Sequence, residues 1–184
     1  MAKPREESDA QLLDAWRSGD ADAGRRLLDR HYAALDRFFA NKLTEGHEDL
    51  IQDTFAICVE QRDRIREFRP YLFRVAYNQF QRFLHRKYNA REDQLESRSM
   101  WNVAPSPSTM MRNDEARTRL LAALRELPVN MQVALELKFW EGMKSPEIGS
   151  ILGVEATTVR TYIRRGGLIL KEKVKDLAPK DSGT

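Results

Sequence analysis

Apolar residues recur three or four positions apart along most of the chain, the spacing that gathers them on one face of a helix. Leu12, Leu13 and Trp16 open the pattern, and Leu27, Leu28, Tyr32, Leu35, Phe38 and Phe39 continue it. Gly19-Asp20 interrupts the first run and Asn41 to His47 the second. A third helix is expected from Glu48 to Arg64, with Leu50, Ile51, Phe55, Cys58 and Val59 on its apolar face. After Arg66-Glu67-Phe68-Arg69, Pro70 suits a first helical turn, because it has no amide hydrogen to lose there. Leu72, Val75, Ala76, Phe80 and Phe83 mark the buried face of the helix that follows. Nothing alternates with period two over a useful length, so the expected fold class is all-α.

The pattern stops between Glu96 and Asn113, where the chain reads ESRSMWNVAPSPSTMMRN with Pro105 and Pro107 near its middle. Proline disfavours helix at the residue before it, so this segment is expected to be a flexible linker. Two small helical domains, 8–95 and 114–177, would flank a linker at 96–113. Trp101, Met110 and Met111 are apolar for a free linker and are expected to touch one of the domains.

The second domain begins near Asp114 with Leu120, Leu121, Leu124 and Leu127, and stops at Pro128. A helix over about Asn130 to Trp140 follows, broken by Glu141-Gly142. Ser145 reads as a helix N-cap with Pro146 at the first position. The helix it starts leads through a tight Gly153-Val154 turn into Thr157-Thr158-Val159-Arg160-Thr161-Tyr162-Ile163-Arg164-Arg165. Two short helices joined by a glycine turn, the second rich in Thr and Arg, form a helix-turn-helix pattern, whose second helix lies in the DNA major groove. With Val159 and Ile163 packed inward, Arg160, Thr161, Arg164 and Arg165 would point outward, and Thr157 and Thr158 would sit near phosphates. Arginine can bond both guanine acceptors and threonine can touch a thymine methyl. Lys171, Lys173 and Lys175 would extend the phosphate contacts.

Charge sharpens this division. The 184 residues carry a formal net charge of only +3. Residues 1–61 nevertheless sum to −5, residues 62–91 to +7 and residues 153–175 to +4. Two basic blocks beside an acidic one fit polyanion binding at two places, and by charge alone fit two solvated helix faces equally well. The chemistry of an enzyme is poorly represented. One cysteine, Cys58, excludes an internal disulfide and a multi-cysteine zinc site, and His31, His47 and His85 are scattered. His47-Glu48-Asp49-Leu50-Ile51 lacks the second histidine of a zinc-protease helix, and no glycine-rich phosphate loop follows a strand. No catalytic residue, metal or cofactor is expected. No apolar run is long enough for a membrane helix and the N-terminus lacks a signal peptide's apolar stretch, so a cytoplasmic protein is expected.

The two halves together resemble the sigma-70 family of bacterial transcription initiation factors, specifically its two-domain extracytoplasmic-function (ECF) group. The resemblance rests on Asp49-Leu50-Ile51-Gln52-Asp53-Thr54-Phe55 and Tyr71-Leu72-Phe73-Arg74-Val75-Ala76-Tyr77-Asn78 in the first half. In the second it rests on Leu124-Arg125-Glu126-Leu127-Pro128, Phe139-Trp140-Glu141-Gly142-Met143-Lys144-Ser145-Pro146-Glu147-Ile148 and Thr158-Val159-Arg160-Thr161. It implies that the helix bearing Asp49, Leu50, Gln52, Asp53 and Phe55 docks on the clamp helices of the largest subunit of core RNA polymerase. It implies that the basic block with Arg74, Asn78, Arg82, Arg86 and Lys87 opens promoter DNA and holds the −10 element as a single strand. Such a site needs apolar rings to replace base stacking, which Phe68, Tyr71 and Tyr77 would supply, and a polar group to read a flipped base, which Asn78 would supply. The helix-turn-helix would bind the −35 element as duplex. The short linker between two small domains predicts a monomer when free, and the resemblance implies an anti-sigma factor as partner.

Three features depart from the family pattern. The loop between Ile65 and Tyr71 is a few residues short, and Tyr71 replaces the usual tryptophan. Glu155 and Thr157 stand where serine and glycine are usual. Gly166-Gly167 falls inside the expected last helix, where each glycine costs about 1 kcal/mol relative to alanine, so that helix is expected to end early or kink. The alternatives are a stand-alone helix-turn-helix regulator, which would not need the basic aromatic stretch from Arg62 to Arg91, and a sigma-like docking protein that does not open promoters.

Overall fold

The computed structural model describes residues 7–43, 45–89 and 115–176. Among them are eight α-helices, one 3-10 turn and no strand. The chain divides into two compact units, Met1–Ala40 with Glu45–Leu95, and Asn41–Thr44 with Glu96–Thr184. The expected linker at 96–113, with Trp101, Met110 and Met111, lies outside the described residues, as does the Lys175 side chain.

The first unit holds α1 (Asp9–Arg17), α2 (Ala21–Ala40), α3 (His47–Glu60), a 3-10 turn at Arg62–Arg64 and α4 (Phe68–Asn89). Ser8 starts α1 through a reciprocal cap. Its Oγ accepts from the Gln11 amide at 3.3 Å, while its own amide donates to Gln11 Oε1 at 2.8 Å. Gly19 breaks the chain at φ +105°, a conformation that strains a side-chain-bearing residue. Asp20 then caps α2 by accepting from the Ala23 amide at 3.0 Å. α2 lies close under α1 because Gly24 has no side chain: a Cβ there would fall 2.5 Å from the Trp16 indole nitrogen. The core is aromatic, with Phe38 set edge-on to Phe73 at 5.7 Å and Phe68 edge-on to Trp16 at 6.5 Å.

α3 ends at Glu60 rather than Arg64, and the chain turns through the 3-10 segment, held by a hydrogen bond from Arg17 Nε to the Arg62 carbonyl at 3.1 Å. Its buried face is also rotated from the one expected. Leu50, Ile51, Thr54 and Cys58 face the core, while Phe55 is half-buried and Val59 exposed. Thr54 fits there because its hydroxyl donates to the Leu50 carbonyl at 2.6 Å, which satisfies the polar atom within the helix.

The second unit holds α5 (Glu115–Arg125), α6 (Val129–Phe139), α7 (Ser145–Leu152) and α8 (Ala156–Asp176), together with the short segment 41–44. Leu121, Leu124, Leu127 and Leu135 form its centre, with Met131, Ile163 and Leu170 packed against them. α8 neither ends nor breaks at Gly166-Gly167, contrary to expectation. Tertiary packing explains the first glycine: a Cβ at Gly166 would meet Leu135 Cδ1 at 3.0 Å and Met131 Cβ at 3.3 Å, so its absence lets α8 lie against α6. α7 begins one residue earlier than expected, with Lys144 preceding it and donating its amide to Glu147 Oε2 at 2.6 Å, so Ser145 is the first helical residue. The unit also buries an ion pair. Lys42 donates to Glu136, whose other oxygen accepts from Gln132 Nε2 at 2.9 Å. Burial pushes the Lys42 ammonium below its ordinary pKa, and the Glu136 carboxylate opposes that fall.

Candidate nucleic-acid interface and acidic face

The turn between α7 and α8 is built by two glycines. Gly153 closes α7 at φ +70°. At Gly149 a Cβ would lie 2.6 Å from the Val154 carbonyl oxygen, so only glycine permits the chain to fold back this closely. Val159, fully buried, and Ile163 then pin the inner side of α8. The opposite side carries Thr157, Arg160, Thr161, Arg164 and Arg165, all exposed, with Thr158 and Tyr162 half-buried beside them. Positions three, four and seven apart on a helix share a face, so three arginines and two threonines form one surface. The Thr161 hydroxyl donates to the Thr157 carbonyl at 3.1 Å. Glu155, exposed, stands just before the helix. Lys171 extends the surface, but Lys173 is half-buried and paired with Glu126, just past the end of α5, so it ties α8 down rather than offering a free cation.

In the first unit Arg74, Asn78, Arg82 and Arg86 recur every four residues along α4, with Lys87 next to them, and all five are exposed. Lys87 lies over the Phe83 ring at 5.7 Å. The aromatic expectations need correction. Phe68 and Tyr77 are buried, Phe68 against Trp16 and His31, and Tyr77 with its hydroxyl accepting from Gln81 Nε2 at 2.6 Å. They are core side chains, and of the three rings only Tyr71 reaches the surface, half-buried. Burial raises the Tyr71 pKa, and Arg74 and Arg64 work against the rise, which places two cations by that phenol.

The acidic helix behaves differently on its two sides. Asp49, Gln52 and Asp53 are exposed. Leu50 is a core residue and so is removed from the candidate docking set. Phe55 lies half-buried with its ring 6.4 Å from Tyr32, which is itself 49% exposed. Tyr32 reads as a core position from its spacing on α2, and its surface position emerges only once α3 is placed beside it. Together Tyr32, Phe55 and Val59 give this acidic face an apolar component.

Cys58 is buried, and burial pushes its thiol pKa from 9.0 to about 12, which suppresses the thiolate that any nucleophilic role would need. No group of three or more His, Cys, Asp or Glu among the described residues could hold a metal ion. Among the same residues no helix is long and apolar enough to cross a membrane.

One helical unit carries a helix-turn-helix, and the other carries exposed acidic residues on α3 and exposed basic residues on α4. Residues 117–166, from α5 into α8, match the family described as Sigma-70, region 4. The chain is 30% identical over 175 residues to the RNA polymerase sigma factor CarQ of Myxococcus xanthus, an alignment covering 90% of this chain and 97% of that one. It is 23% identical to the ECF RNA polymerase sigma-E factor of Salmonella typhimurium, covering 92% and 96% of the two chains. Among solved structures, CnrH in complex with the cytosolic domain of CnrY is similar with a TM-score of 0.69 at 22% identity, covering 92% of this chain and 99% of that one. The sigma factor RpoE in complex with the anti-sigma factor NepR from Bartonella quintana gives 0.67 at 20%, covering 82% and 96%. The chain therefore belongs to the ECF group of the sigma-70 family.

Proposed function

We propose that this sigma factor binds bacterial core RNA polymerase and directs initiation at particular promoters, with the second unit reading the −35 element as duplex and the first engaging the −10 element as single strand. The observation that carries the reading is the α8 surface, where Arg160, Arg164 and Arg165 stand exposed over a helix fixed by Val159, Ile163 and Gly166. Arginines on a rigid helix can reach base edges without first ordering a loop. The exposed Asp49, Gln52 and Asp53, with Phe55 beside them, are the polymerase-docking set, for the clamp helices of the largest subunit. Arg74, Asn78, Arg82, Arg86, Lys87 and Tyr71 form the −10 set. An anti-sigma factor is proposed as a further partner, since two structures of similar fold are complexes, one of them with an anti-sigma factor.

The burial of Phe68 and Tyr77 favours a second reading, a docking protein that recruits polymerase without opening promoters. One experiment separates the two: the purified chain is mixed with core polymerase and a genomic promoter library is transcribed with and without it. Co-elution with new, defined start sites supports the initiation factor, and co-elution with no new transcript supports the docking protein. Asp53→Arg should weaken polymerase binding, whereas Arg164→Ala or Arg165→Ala should leave that binding intact and reduce protection of the upstream element.

A further inference from the structure

On the proposed −35 surface Thr161 holds the central place. Thr157 lies one turn before it, Arg164 and Arg165 one turn after it, and Arg160 beside it. It is the one position there whose side-chain hydrogen is already committed, since Oγ1 donates to the Thr157 carbonyl at 3.1 Å. A hydroxyl has a single proton, so Thr161 keeps no donor for a base acceptor or a phosphate. The same bond favours the χ1 well from which Oγ1 reaches that carbonyl. The γ-methyl is oriented with it, so a contact through it loses less rotamer freedom than one made by a long side chain. Among the four bases, only thymine presents a methyl group in the major groove. The flanking arginines are long and the threonine is short, which lets their guanidinium groups reach guanine or phosphate while the helix axis sits close over the base beneath Thr161.

Resting on the reading of α8 as the duplex-binding helix, we infer that Thr161 determines specificity for a thymine in the upstream element, through methyl-to-methyl contact rather than a hydrogen bond. The rival is a polar role for Oγ1, which could still accept from the amino group of adenine or cytosine.

The test uses the full chain bound to core polymerase. A duplex library randomised upstream of the start site gives the selected element, and each thymine in it is then replaced by deoxyuridine, which removes the 5-methyl and nothing else. Replacement at one position should weaken wild-type binding about fourfold, the worth of one methyl-sized group taken out of water. Thr161→Ser keeps the hydroxyl and loses the methyl. It should bind the thymine duplex about as weakly as wild type binds the uracil one, and be indifferent to the replacement. Thr161→Val keeps a methyl and loses the oxygen, and should retain both the affinity and the response to uracil. The inference is overturned if no thymine is selected, if uracil has no effect anywhere, or if Ser preserves the response and Val abolishes it. Two other failures are distinguishable from these: a chain that does not associate with polymerase removes the docking reading of α3, and one that associates but selects no element removes the reading of α8 itself.

Discussion

Asp9 Oδ2 and His31 Nε2 lie 2.6 Å apart, and this contact joins α1 to α2 beside the Phe68 ring. Asp9 is held on its other oxygen by Arg30 at 2.8 Å. Burial alone pushes this carboxyl up, but the hydrogen bond from Arg30, the His31 ring and the charge of Arg30 together outweigh it and hold the pKa below 3.8. A carboxylate depressed in the folded state contributes stability that is present above 3.8 and disappears as pH falls through the folded value. Asp9→Asn should therefore lower the melting temperature of the protein at neutral pH and match wild type once both are measured in strong acid. An equal deficit at pH 7 and at pH 2 would contradict this.

Lys42 and Glu136 are 1% and 3% exposed at their side chains. Removing one member of a buried ion pair costs about 3–5 kcal/mol. Lys42→Met should thus reduce the second unit's resistance to urea strongly. Lys42→Met combined with Glu136→Gln should recover most of it, since Gln132 still finds a partner and no charge is stranded. The double variant proving as unstable as the single one would count against the ion-pair account.

The two adjacent glycines of α8 should respond in opposite directions to alanine. Gly167→Ala meets nothing within 4 Å and should stabilise the helix by about 0.5–1 kcal/mol. Gly166→Ala brings a methyl against Leu135 and Met131 and should destabilise by about 1–3 kcal/mol, as overpacking does. Thermal unfolding of the two variants side by side decides it, and stabilisation by both would show that α8 can move away from α6 at little expense.

Cys58 should resist alkylation in the native protein. With a thiol pKa near 12 rather than 9.0, the thiolate population at pH 8 falls roughly a thousandfold. Iodoacetamide labelling followed by mass spectrometry should give slow modification that becomes fast in denaturant. Rapid labelling of folded protein would mean that the α3 face opens.

Local spacing determined a great deal here. The eight helices were legible because three- and four-residue periodicity, glycine breaks and proline starts act within a few residues of each other, and the arginines of α8 were legible because Val159 and Ile163 could be assigned inward by that periodicity. Side chains with an apolar body and a polar tip were not. Phe68 and Tyr77 resemble base-stacking residues in sequence, yet they are buried because α1, α2 and the Gln81 amide supply their surroundings. Tyr32 and Val59 resemble core residues, yet they reach the surface because the helices around them pack on other faces.

Two further features depended on partners far away in sequence. Gly166-Gly167 reads as a helix terminator from propensity alone, and only the closeness of Leu135 and Met131 gives Gly166 a packing role inside an unbroken helix. Lys42 falls in the break that sequence places at Asn41 to His47, with nothing local to mark it as buried, and it is a buried cation because Glu136, distant in sequence, meets it. The sequence by itself determined the helices and the charge pattern, since those follow from neighbours along the chain. Tertiary structure decided which rings, glycines and charges are buried, since burial depends on what packs against a residue.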